Sequence, residues 1–222
     1  MLYPISENTN CTKADDAHPS IVEIKNNHPD LALENISFSE IDEEFVGKRI
    51  NKINVKKATG IDGISPKLLH FVKPVITKIV NLAITSSTFS ARIKGAQVAP
   101  VHKKNNVLEA GNDRPVSVLP AISKLFGNSL EIQLVKYFDK IFSPFLAAFR
   151  SGFGCQSTLL IVIEDWKKAL DKNEYLTAIL MDVSKAFDCL PHDLLLMKLK
   201  AYDLSQSALE MLNITWGILL YK

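Results

Sequence analysis

Tyr175-Leu-Thr-Ala-Ile-Leu-Met-Asp182-Val-Ser-Lys-Ala-Phe-Asp188-Cys-Leu-Pro-His192-Asp is the stretch around which this chain is organised. The uncharged apolar run from Leu176 to Met181 is too short for a typical helix. It is also too apolar for a strand with one wet face, so it predicts a strand covered on both faces. The run ends on a carboxylate, Asp182. At the carboxyl end of a buried strand such a group lies at the mouth of a sheet, where ligands and metals bind. Asp188 follows six residues on, and Pro191 opens a helix predicted from Asp193 to about Tyr202. On spacing alone Asp182 has two readings, a ligand-binding group or a cap for the turn that follows it.

The 222 residues suffice for one sizeable core or two small ones. Hydrophobic content of 47% and charged content of 23% fit a globular protein. The net charge of +2 hides an asymmetry: residues 1–45 hold ten acids and two bases, so the remainder carries +10. A basic body suits a polyanionic partner, and a solvated surface of mixed charge fits the same count. Cys11, Cys155 and Cys189 are far apart and odd in number, which argues against a zinc site or a disulfide framework and for a reducing compartment. The first sixteen residues lack the basic and apolar regions of a signal peptide, and the apolar runs are too short to span a bilayer. The expectation is an intracellular protein of cytoplasm or nucleus, with no membrane partner.

Residues 1–36 are polar and rich in Asn and Asp, and predict a poorly ordered acidic lead. Ser37 or Ser39 is placed to cap a helix from Glu40 to about Ile53. Lys56-Lys-Ala-Thr-Gly60-Ile-Asp-Gly63-Ile-Ser-Pro-Lys67 is a basic, Gly-rich loop, in which Ser65 and Pro66 read as the cap and first position of a helix. Helices are predicted over roughly 66–72 and 74–86. Ala96-Gln-Val-Ala-Pro-Val101 and Arg114-Pro-Val-Ser-Val-Leu predict two short strands of a hairpin with basic residues at their facing ends. Such an arm suits phosphates, and an exposed hairpin with no ligand fits the charge equally. A long amphipathic helix is predicted from Ser123 to about Phe142, with Leu125, Phe126, Leu130, Leu134 and Phe138 near one side. Gly152 and Gly154 permit close backbone approach. Ser157 reads as the cap of a helix from Thr158 to about Lys172 whose Leu159, Val162, Ile163, Trp166 and Leu170 form a core face.

Met181-Asp-Val-Ser-Lys-Ala-Phe-Asp-Cys-Leu-Pro-His-Asp resembles the first catalytic motif of reverse transcriptases from non-LTR (LINE-type, jockey-like) retrotransposons. Three further stretches resemble the same family: the Lys56–Lys67 loop, Pro-Val-His-Lys-Lys with Asn-Asp-Arg-Pro-Val-Ser-Val-Leu-Pro, and Phe149-Arg-Ser-Gly. The resemblance covers about residues 40–212 and implies a helix-rich α+β fold, right-hand polymerase fingers with a partial palm. It divides the chain into a lead (1–36), a helical segment preceding the fingers (37–95), fingers and palm entrance (96–175), and a partial palm (176–222). Asn112-Asp113 departs from the family, where an aromatic usually precedes the Arg.

By this resemblance Asp182 is the first metal-binding carboxylate and the Val183 carbonyl a further ligand, for Mg²⁺ in two-metal nucleotidyl transfer. Lys103 and Arg114 hold the incoming dNTP, and Lys104 is a weaker candidate. Phe187 lies against the sugar, and Arg150 lies near the template. The implied partners are an RNA template, a DNA primer and dNTP. The family's Gln-Gly and aromatic-x-Asp-Asp motifs have no match here: the acids after Asp188 are Asp193, Asp203 and Glu210. The expectation is thus a polymerase fragment, stopping before the second catalytic motif and inactive alone. Two other function classes fit parts of the pattern. One is a non-catalytic remnant holding RNA or nucleotide through Lys103, Arg114 and Arg150. The other is an aspartyl-nucleophile phosphotransferase, which wants a second Asp where Ser184 stands.

Overall fold

The computed structural model describes residues 16–27, 35–53, 60–90, 93, 95–102, 113–182 and 190–216. They divide into two compact units, Met1–Gln133 with Leu190–Lys222, and Leu134–Cys189, the second inserted into the sequence of the first. The described residues are helix-rich with one small antiparallel sheet, an α+β fold.

The first unit begins with α1 (Pro19–Asn27), which buries Ile21 and Ile24. This helix lies inside the lead expected to be poorly ordered. A polar composition conceals it, because two isoleucines three residues apart suffice to anchor one face. Helix α2 (Glu43–Lys52) is capped by Asp42, whose Oδ1 accepts the Phe45 N–H at 2.6 Å. The expected caps, Ser37 and Ser39, lie upstream of it, and Ser39 is bound elsewhere: its N–H and hydroxyl both donate to Gln133 Oε1. Ser65 and Pro66 open the short helix α3 (Pro66–Leu69) as expected. In α4 (Lys73–Ser86) the buried residues Ile76, Val80, Ala83 and Ile84 make one stripe at helical spacing. Ser87 ends this helix in the left-handed region, its N–H bonding back to the Ala83 and Ile84 carbonyls. Asn81 ties α4 to the segment before α2, accepting the Ile41 N–H and donating to the Ile41 carbonyl, both at 2.9 Å.

Strands β1 (Gln97–His102) and β2 (Asp113–Val118) pair antiparallel, from Gln97 opposite Val118 to His102 opposite Asp113. They occupy the expected places within one residue. β2 leads into α5 (Ala121–Phe138), whose Ile122, Leu125, Phe126 and Leu130 are buried. Phe126 stacks on Phe89 with ring centroids 4.2 Å apart. Helices α7 (His192–Ala201) and α8 (Gln206–Trp216) complete the unit, α7 packing against both α1 and α8. Pro191 opens α7 as expected, from its cap position. Beyond α7, Ile36 bridges Leu204: the Ile36 N–H donates to the Asp203 carbonyl and the Ser205 N–H to the Ile36 carbonyl.

The second unit carries the last turn of α5, then turns, then α6 (Cys155–Asp171). Gly154 caps α6 and Ser157 sits three residues into it, its hydroxyl bonding both the N–H and the carbonyl of Gly154. Ser157 therefore reaches back from the third helical position to the backbone of the cap residue, and is not the cap expected. The expected core face of α6 is also overturned. None of its residues is buried, and Leu159 and Leu170 are 58% and 63% exposed. Helical periodicity reports a face available for burial, and the described residues of this unit supply no cover for it. Tyr137 is the unit's one buried apolar side chain among those described.

Phe126→Ala should therefore destabilise the chain by roughly 3–5 kcal/mol, while Leu159→Ala should stay within about 0.5 kcal/mol. Urea denaturation followed by circular dichroism measures both.

Candidate functional site

The basic hairpin places Arg114 near the open end of the sheet, its backbone opposite Val101. Lys103 and Lys104 lie outside the described residues, between His102 and Asp113, so the nucleotide-binding expectation rests on the sequence there. Val183 and Phe187 likewise lie outside them. Asp182 is described. It is exposed and ends a stretch, residues 174–182, without helix or strand. Ile179, Leu180 and Met181 before it are 81%, 91% and 89% exposed. The expected buried strand is thus absent. A strand needs a neighbouring ladder for its N–H and carbonyl groups, and the one sheet among the described residues is β1–β2.

As a hard oxygen donor Asp182 fits Mg²⁺ as one ligand. The described residues contain no cluster of three or more His, Cys, Asp or Glu side chains able to hold an ion. They do not assemble a two-ion cage.

Arg150 has the best-defined geometry of the expected site residues. Its Nε and Nη2 donate to Asp139 Oδ1 at 3.2 and 3.0 Å, and Nη1 reaches the Ser143 and Leu146 carbonyls at 3.3 and 3.4 Å. The guanidinium also lies 4.7 Å from the centre of the Phe153 ring. Four of its five N–H groups are engaged in holding the turn between α5 and α6, which leaves little of the fork for a template phosphate. Sequence reading does not single out Asp139, because no spacing rule links a helix end to an arginine eleven residues on. Gly152 serves the same turn with φ of +83°, and a Cβ there would meet nothing within 4 Å. Its requirement is backbone conformation rather than the close approach expected. Gly154 likewise faces open space.

A family model described as "Reverse transcriptase (RNA-dependent DNA polymerase)" matches residues 101–219, more than half of the chain. The chain belongs to the reverse transcriptase family. Three relatives from Drosophila melanogaster extend the match. This reverse transcriptase chain is 29% identical over 128 residues to a "Probable RNA-directed DNA polymerase from transposon X-element", covering 56% of the chain and 14% of the relative. It is 27% identical over 165 residues to a "Probable RNA-directed DNA polymerase from transposon BS", covering 71% and 18%. It is 26% identical over 172 residues to an "RNA-directed DNA polymerase from mobile element jockey", covering 74% and 19%. The matched stretch thus spans less than a fifth of each relative. The jockey alignment is longer than the family model's span, in keeping with motifs read upstream of residue 101. Among the described residues, no helix is long and apolar enough to cross a membrane.

Arg150→Lys keeps the charge and loses the fork. Because one ammonium cannot replace the pair to Asp139 and both carbonyl contacts, the turn should lose about 1–2 kcal/mol of local stability. Limited proteolysis should then cut within residues 143–154 several-fold faster.

Proposed function

We propose that this chain serves RNA-directed DNA synthesis by a non-LTR mobile element, supplying the fingers and the first part of the palm. The observation that carries the reading is the match of residues 101–219 to reverse transcriptases, which takes in the Asp182 motif. In this reading β1 and β2 form the fingers arm, where Lys103 and Arg114 meet the triphosphate of an incoming dNTP. Asp182, with the Val183 carbonyl, is the first ligand for Mg²⁺, and Phe187 lies against the sugar of the dNTP. When bound, the ions supply activation of the primer 3′-hydroxyl and charge neutralisation on the triphosphate. The template is RNA and the primer DNA. The exposed position of Asp182 supports a role met in the assembled polymerase, since one carboxylate does not complete a two-ion cage.

The test is a chimera in which residues 40–212 replace the matching segment of the jockey polymerase. Primer extension on an RNA template with dNTPs and Mg²⁺ should persist and fall on the order of 10³-fold with Asp182→Asn, the rate equivalent of several kcal/mol. Extension that Asp182→Asn leaves unchanged sinks the assignment. The 222-residue chain alone should give no product.

A further inference from the structure

Each strand of the hairpin carries a proline, and the register sets the two face to face: Pro100 lies opposite Pro115. Neither has a backbone N–H, so this pair cannot exchange the two hydrogen bonds of a bonded antiparallel pair. Bonded and non-bonded pairs alternate along such a ladder. The bonded pairs are therefore Gln97–Val118, Ala99–Val116 and Val101–Arg114, and the backbone groups of the pairs between them point outward. Val98, Pro100 and His102 form one edge of the ribbon, and Asp113, Pro115 and Ser117 the other. Among the described residues no third strand joins the sheet, and no backbone hydrogen bond from elsewhere reaches either edge. Each face also has open valines: Val98 is 42% exposed on one, and Val101 and Val116 are 49% and 44% exposed on the other. Charge does not guard the edges, since no Lys, Arg, Asp or Glu stands between Gln97 and Val101 or between Pro115 and Val118. An uncharged, valine-rich ribbon with both edges uncovered is a template for further strands.

We propose that Pro100 and Pro115 keep the hairpin two-stranded, each denying the middle of one edge to an added β-strand. A strand laid along β1 needs an N–H at residue 100, where the Cδ of proline takes the place of the hydrogen. Residue 115 does the same for β2. The ribbon is thus open to partners on its faces, through side chains, and closed to strand addition by an extended peptide or by a second copy of this chain. The pair also fixes the register, because a one-residue slip would move one of the two prolines into a bonded position and remove a hydrogen bond. The edges stay closed whatever the faces bind.

Residue-resolved hydrogen exchange on the 222-residue chain, followed by NMR, reads the edges directly. The amides of Ala99, Val101, Arg114 and Val116 should be protected, and protection should be lost at Val98, His102, Asp113 and Ser117. Pro100→Val and Pro115→Val each return an N–H to one edge. Each should produce a closed dimer in sedimentation velocity, its association raised about tenfold or more over the unaltered chain, because each copy regains one bond. The double variant has two open edges per copy and should form open-ended assemblies that bind thioflavin T. Pro144→Val, at an exposed proline outside the sheet, should leave sedimentation unchanged. Protection at the outward amides, its absence at the inward ones, valine variants that fold by circular dichroism yet sediment as the unaltered chain does, or an equal gain from Pro144→Val would each overturn the proposal. Should the valine variants fail to fold, the exchange pattern of the unaltered chain decides.

Discussion

The stacked rings of Phe89 and Phe126 are the contact on which the first unit depends. Phe126 is 1% exposed, with Leu125 beside it and Leu130 one turn on, so this stripe of α5 is the apolar axis of the unit. Other features take their places from it. Pro120, at the head of α5, meets the backbone at Gly60, which holds the Gly-rich loop against the helix. Gln133, farther along, fixes Ser39 through its amide, and Asn81 on α4 does the same for Ile41. The two side-chain amides give an extended segment the hydrogen bonds that a sheet would otherwise supply.

Where local physics decided the structure, the sequence could be read directly. Ser65-Pro66, the strands on either side of residues 103–112, and the stripe of α5 carry their signals within a few residues. The misses share a cause, since each needed information from elsewhere in the fold. Ile21 and Ile24 make α1 a packed helix only because α7 lies against it. Asp42 outcompetes Ser37 and Ser39 as a cap because Ser39 is engaged by Gln133, 94 residues away. The apolar side chains of α6 and of residues 176–181 read as core because hydrophobicity shows what a residue would bury, not whether a neighbour is present to cover it.

Legibility of the site follows the same division. Asp182 is recognisable from the wording of its motif, although its described surroundings show an exposed carboxylate at the end of an irregular stretch. A two-ion centre is a non-local object, built from oxygens contributed by separate segments, and no single segment displays it. Arg150 shows the converse. Its motif marks a position near nucleic acid, and its geometry adds a second task that the motif does not mention, bracing a turn with Asp139 as the partner that sequence left unmarked. A motif can thus identify a family while a residue within it keeps local architecture.

The bridge between Ile36 and Leu204 sets the order of events during synthesis. Four hydrogen bonds join residues 35–37 to residues 203–205, across 168 positions for each side-chain link. A ribosome adding about 5–20 residues per second needs roughly ten to thirty seconds to cover that distance. Throughout that interval α1 has no α7 to cover Ile21 and Ile24, and the whole second unit must emerge before the first can close. The nascent chain therefore passes through an interval in which Ile21 and Ile24 lack the cover that α7 gives them, and the speed of translation sets its minimum length.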